Sequence, residues 1–60
     1  MTNYTVTEMD SYTEHVFDNL VEAIDYMEYV DCDCMLTVEA GDGLDKIIGG
    51  KVNGKVSVNA

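Results

Sequence analysis

Residues 12–30, Tyr12-Thr13-Glu14-His15-Val16-Phe17-Asp18-Asn19-Leu20-Val21-Glu22-Ala23-Ile24-Asp25-Tyr26-Met27-Glu28-Tyr29-Val30, decide the fold class of this chain. Val16, Leu20, Ala23, Ile24, Met27 and Val30 recur at intervals of three and four, the period of an amphipathic helix. With Val16 at zero and about 100° per residue, Leu20, Ala23 and Met27 fall within about 40° of it. Those four residues define the expected buried stripe. Glu14, Asp18, Glu22, Asp25, Glu28 and Tyr29 fall on the opposite side. Ser11-Tyr12-Thr13-Glu14 matches the capping box, in which a serine oxygen accepts a backbone N–H and the glutamate reaches back. The helix is therefore predicted to begin there and run to about Val30.

Strand signals flank this segment. Asn3–Thr7 is rich in β-branched and aromatic residues, which predicts a short strand or extended arm. After an exit through Asp31–Asp33, Cys34–Ala40 alternates so that Leu36 and Val38 share a face. Gly41-Asp42-Gly43 predicts a turn. Asn53-Gly54, between Lys46–Val52 and Lys55–Asn59, is the strongest short-range signal for a hairpin. The C-terminal half thus reads as a three-stranded antiparallel meander, and the whole chain as an α+β domain with one helix packed on a small sheet.

A two-residue loop at Asn53-Gly54 pairs Val52 with Lys55 and Lys51 with Val56. An uninterrupted strand then puts Ile47, Val56 and Val58 on the core side, with Gly49 leaving room for the helix. Ile48 and Val52 are left outward beside Lys55 and Ser57, where they suggest a homodimer contact. A bulge at Gly49-Gly50 would reverse these faces.

The charge distribution carries the functional information. All twelve acidic residues lie in the first 45 positions, which hold no lysine or arginine, and the three lysines follow at Lys46, Lys51 and Lys55. The formal net charge is -9. At 60 residues the chain makes one domain, and a domain of that size buries only about 60% of the surface its unfolded form exposes. Hydrophobic residues make up 47% of the chain, too many for an acidic disordered tail. Met1–Asp10 has no basic region followed by an apolar run, and no apolar stretch approaches a membrane span. The expectation is a soluble cytoplasmic protein, in a bacterial host's cytoplasm if phage-encoded. Direct binding to nucleic acid or to anionic membrane is disfavoured by like charge.

Along the expected helix, Glu14, Asp18 and Glu22 are spaced by four, and Glu22, Asp25 and Glu28 by three. Each like-charge pair costs a few tenths of a kcal/mol, and no lysine interleaves to relieve it. Glu28, Asp31 and Asp33 also lie at or past the helix C-terminus, where the macrodipole disfavours anions. Local choices that oppose stability are expected at functional surfaces. Carboxylates four apart are separated by about 6 Å along the axis, comparable to neighbouring phosphates on one nucleic acid strand. Such a row suits a basic groove built for a phosphate backbone. Tyr26 and Tyr29 border it and could meet an arginine face-on.

In size and charge pattern the chain resembles the small acidic DNA-mimic inhibitors of phages and mobile elements, which block restriction enzymes, CRISPR effectors or DNA repair enzymes. The resemblance covers the acidic helix and its flanks. It implies a non-enzymatic inhibitor whose partner is a basic nucleic-acid-binding protein. Its working residues would be Glu14, Asp18, Glu22, Asp25, Glu28, Tyr29, Asp31 and Asp33. The competing reading is a small interaction protein that oligomerises through its sheet face, its charge serving solubility alone.

Catalytic and metal readings are weaker. Asp31-Cys32-Asp33-Cys34 offers thiolate and carboxylate donors, but there is no second cysteine pair, and His15 would sit about 25 Å from Cys32 along a continuous helix. Neither a metal nor a cofactor is expected. Cys34 is read as a core residue and Cys32 as partly exposed, with nearby carboxylates keeping the thiols protonated and without catalytic reactivity. An intrachain disulfide between residues this close is disfavoured by geometry. Sixty residues leave little room for both a core and an enclosed pocket, so an enzyme is not expected.

Overall fold

A computed structural model of the protein describes residues 2–39 and 43–59. Strands β1 (Tyr4–Glu8) and β2 (Glu14–Phe17) precede helix α1 (Leu20–Tyr29), and β3 (Cys34–Glu39), β4 (Asp45–Val52) and β5 (Lys55–Val58) follow. The strands form one antiparallel sheet in the order β2-β1-β3-β4-β5. The fold is α+β, with one helix on one face of the sheet. Two more strands join it than the C-terminal meander supplies. Because β1 is antiparallel to both β2 and β3, those two run parallel to each other, and α1 makes the crossing between them.

The first departure from the sequence reading lies at residues 14–17. They are a strand: Tyr4 pairs with Phe17, Val6 with His15 and Thr7 with Glu14. His15 and Phe17 then face the helix while Glu14 and Val16 face away, and Val16 is 64% exposed rather than part of the buried stripe. Ser11 is no helix cap. Its hydroxyl meets Thr13 Oγ1 at 2.8 Å in the β1–β2 turn, which closes through Glu8 N to Thr13 O and carries Tyr12 at φ 58°. The helix begins past Phe17, where Asn19 Oδ1 accepts the Val21 N–H at 2.8 Å. Asn19-Leu20-Val21-Glu22 repeats the spacing of the earlier capping pattern, so local sequence offered two starts. Pairing with β1 decided between them, because it satisfies a row of backbone groups along a strand rich in β-branched residues.

Within α1 the expected periodicity holds. Ala23 and Met27 are fully buried, and Leu20, Ile24, Tyr26 and Val30 pack beside them. Val6, Cys34 and Leu36 complete the core from the two central strands. No glycine ends the helix; Val30 donates to Tyr26 O at 3.1 Å, and its own carbonyl accepts from the ammonium of Lys51. Lys51 is only 9% exposed and reaches the helix from β4. A cation at a helix C-terminus meets the negative end of the macrodipole and fills an orphan carbonyl. Lys51→Met should therefore lower stability by about 1–3 kcal/mol, read as a shift in the urea midpoint. An unchanged midpoint would show the contact to be energetically idle.

The C-terminal hairpin forms in the expected register, with Val52 opposite Lys55 and Lys51 opposite Val56. Asn53 and Gly54 take φ values of 50° and 82°, as a type I′ turn requires. Of the expected Gly41-Asp42-Gly43 turn, residues 41 and 42 lie outside the described residues, as does Ala40 at the expected end of the third strand.

The β3–β4 ladder changes register. Leu36 pairs with Gly49 but Thr37 with Ile47, so Ile48 is the extra residue of a bulge. This reverses the faces along the first half of β4. Ile48 joins the core side, and Ile47 is 66% exposed. The expected outward pair of Ile48 and Val52 is corrected to Ile47 and Val52. Backbones press closely beside the bulge: a Cβ at Gly49 would overlap the Ser57 carbonyl oxygen, and one at Gly50 that of Cys34.

Candidate partner-binding surface

Three of the proposed acidic positions and one tyrosine come from α1. Glu22, Asp25, Glu28 and Tyr29 lie on its solvent side, all exposed, Tyr29 by 82%. Spaced by three, the carboxylates climb about 4.5 Å per step. Among the described residues none of the three has a cationic partner. Asp31 and Asp33 continue the surface in the link to β3, both exposed. Asp33 also holds the fold together: its Oδ1 accepts from Asn53 N at 3.1 Å and its backbone oxygen from Met9 N at 2.9 Å.

Two expected members are displaced. Glu14 sits on β2 and faces away from the helix, and Asp18 lies in the bend before Asn19. The ridge is therefore shorter than a helix from residue 12 would make it. It gains one residue that sequence reasoning missed. Asp10, in the β1–β2 turn, lines a shallow depression together with Glu8, Tyr29, Val30, Asp31 and Cys32. No local pattern announced Asp10, because only the pairing of β1 with β3, continued by Met9 N to Asp33 O, brings residue 10 beside residue 31.

Tyr26 does not border the ridge. It turns inward, its hydroxyl donating to Glu8 Oε2 at 2.9 Å and lying 2.9 Å from His15 Nε2. Its ring stands 4.5 Å from His15 and 5.6 Å from Phe17. Glu8 is the hub of this group: it meets His15 Nε2 at 2.7 Å and accepts from Cys32 Sγ at 3.5 Å. The wide separation expected of His15 and Cys32 is replaced by a single bridging carboxylate, since His15 is on β2 rather than at the start of a long helix.

The electrostatics follow from this arrangement. Hydrogen bonds from Tyr26 and then His15 hold the Glu8 carboxyl below its ordinary range. Desolvation first, then the bond to Glu8, pushes Tyr26 up to about 12. Desolvation, Glu8 and Asp10 push the Cys32 thiol up to about 12 as well. Both cysteines are free; Cys34 is buried, its thiol pushed up by desolvation and turned toward Cys32 O at 3.5 Å. Protonated thiols among carboxylates are poor nucleophiles. Donor atoms of Glu8, Asp10 and Cys32 lie within 4.8 Å of one another, so these are the residues that could approach a cation, rather than the Asp31–Cys34 run.

Linkage gives a pH prediction. Native Tyr26 and Cys32 hold protons that the unfolded chain releases from about 10 and 9, so stability is complete below those values and falls as pH rises toward about 12. Glu8 acts in the other direction: its contribution is present above the ordinary value of 4.5 and is lost as pH falls through its lower native value. An absorbance titration should show one phenol ionising near 12, absent in Tyr26→Phe. Persistence of that step in Tyr26→Phe would contradict the assignment.

Among the described residues no helix is long and apolar enough to cross a membrane. Comparison with known proteins adds no relative: no protein-family model, curated protein or solved structure matches the chain.

Proposed function

We propose that this protein is a non-enzymatic nucleic acid mimic that occupies the DNA- or RNA-binding cleft of a basic host defence or repair protein, of the restriction or CRISPR effector type. The observation that carries this reading is the run of exposed, unpaired carboxylates Glu22, Asp25 and Glu28 on the outer side of α1, extended by Asp31 and Asp10 around Tyr29. A purely solvated face would ordinarily mix signs, since alternating glutamate and lysine supports a helix by a few tenths of a kcal/mol per pair. This face accepts repulsion along its whole length. A cationic cleft converts that repulsion into attraction and speeds the encounter.

The test is competition. Restriction endonucleases, CRISPR effectors and DNA glycosylases are assayed for DNA binding and cleavage with the protein added at increasing concentration. At least one should be inhibited competitively with DNA, and the inhibition should weaken as salt rises, because the contacts are between exposed charges. Inhibition that is indifferent to both DNA and salt would reject the mimic.

A further inference from the structure

We propose that Glu8, Asp10 and Cys32 form a binding site for a single zinc ion beside the C-terminal end of α1, an inference independent of the mimic reading. In the sequence Cys32 has only its own neighbours as further donors; the pairing of β1 with β3 supplies the rest. Glu8 pairs with Cys34, and the ladder continues through Met9 N to Asp33 O at 2.9 Å. The same register carried one step further sets Asp10 opposite Cys32. Side chains two apart along a strand share a face. Glu8 follows the buried Val6 and Cys32 precedes the buried Cys34, so both turn toward the helix side. The end of β1, the turn after it and the link before β3 thus each deliver one donor to the depression that Tyr29, Val30 and Asp31 also line.

Donor atoms of the three residues lie within 4.8 Å of one another. Glu8 Oε1 and Cys32 Sγ are 3.5 Å apart. A zinc ion with bonds of about 2.3 Å to sulfur and about 2.0 Å to oxygen, at the tetrahedral angle, holds those two atoms about 3.5 Å apart as well. Zinc takes the place of the thiol proton that lies between them: the S–H bond breaks, the proton leaves to water and the sulfur keeps the electron pair it gives the metal, since a coordinated thiol is deprotonated outright. Glu8 is already oriented for this. Its Oε1 faces Cys32, while Oε2 meets the Tyr26 hydroxyl at 2.9 Å and His15 Nε2 at 2.7 Å. A ligating carboxylate fixed by such hydrogen bonds keeps its aim. The shallow depression gives the ion a way in and leaves its fourth position to water. The donor set selects the metal, because a thiolate beside two carboxylates suits a borderline-soft cation, whereas magnesium and calcium take oxygen alone. The Glu22, Asp25 and Glu28 run supplies none of these donors and stays uncovered.

The experiment titrates the intact, reduced, metal-free chain with cobalt(II) and then with zinc. A single cobalt per chain should produce the near-ultraviolet charge-transfer absorption of a thiolate ligand, and zinc should displace it while magnesium in excess should not. Cys32→Ser should abolish that absorption. Asp10→Asn, in an exposed turn, should weaken both metals by at least about tenfold with its circular dichroism unchanged. The triple variant Glu22→Gln, Asp25→Asn, Glu28→Gln should keep the absorption and the affinity of wild type. Zinc should also raise the urea midpoint of wild type and leave that of Cys32→Ser where it was, because a ligand held only by the folded chain stabilises it. Binding without the thiolate band, a band that survives Cys32→Ser, or undiminished affinity in Asp10→Asn overturns the proposal. So does displacement by magnesium, loss of binding in the triple variant, which would mark cations gathered loosely along the acidic ridge, or a single metal shared between two chains in sedimentation.

Discussion

The triple variant Glu22→Gln, Asp25→Asn, Glu28→Gln loses about 100-fold in affinity for the target's cationic cleft. Each exposed carboxylate in such an interface contributes about 1 kcal/mol, and three of them about 3 kcal/mol, at 1.4 kcal/mol per tenfold. The substitutions preserve shape and keep the helix surface polar. They also remove the repulsion between Glu22 and Asp25 and between Asp25 and Glu28, so folding stability should rise by a few tenths of a kcal/mol. Binding and stability therefore move in opposite directions, which a misfolding artefact cannot reproduce. The measurement is competition against labelled DNA on the inhibited effector, with a urea titration of the same samples. Asp45→Asn, at the start of β4 and away from α1, serves as the control and should change neither. Undiminished inhibition by the triple variant would end the mimic proposal.

Leu36→Ala should remove about half of the chain's folding stability. Leu36 is fully buried at the centre of β3, pairs with Val6 and faces Ala23 and Met27 across the core. Truncating a buried leucine costs about 2–5 kcal/mol through lost burial and the cavity left behind. At about 0.05–0.15 kcal/mol per residue, a chain of this length has only about 3–9 kcal/mol in total. Few large side chains could collapse into the gap, since the largest fully buried ones among the described residues are Met27, Leu36 itself and Val6. Urea unfolding followed by circular dichroism would show the midpoint lowered to about half its wild-type value. If the midpoint falls by less than a quarter, the stability does not rest on this part of the core.

The parts of the fold that sequence reading reached are those fixed by neighbours along the chain. Asn53-Gly54 imposes its turn and register because both residues accept positive φ. Ala23 and Met27 bury themselves because α1 is amphipathic over its own length. Residues 14–17 were misread because Val16 stands four before Leu20, a helical spacing, although Val16 and Leu20 belong to different elements. The expected outward Ile48 is overturned by a bulge one residue before the Gly49-Gly50 position that would reverse the faces, and only the fit of β4 against β3 settles which isoleucine turns inward.

The candidate surface divides the same way. The exposure of Glu22, Asp25, Glu28, Tyr29, Asp31 and Asp33 was legible, because a side chain on the far side of a helix or in a link stays in water wherever the helix docks. Glu14 left the ridge by pairing with β1, and Asp10 joined its end through the pairing of β1 with β3, contacts that no local period records. Glu8 gathers Tyr26, His15 and Cys32 from a helix, a strand and a link. By itself the amino-acid sequence determined the fold class, the C-terminal hairpin and the sign of the field, since propensity, turn chemistry and charge act through adjacent residues. Only the tertiary structure decided that residues 14–17 pair with β1 and that Ile47 faces out. Strand pairing brings together groups far apart in the chain, and its free energy is gained only when both partners are in place.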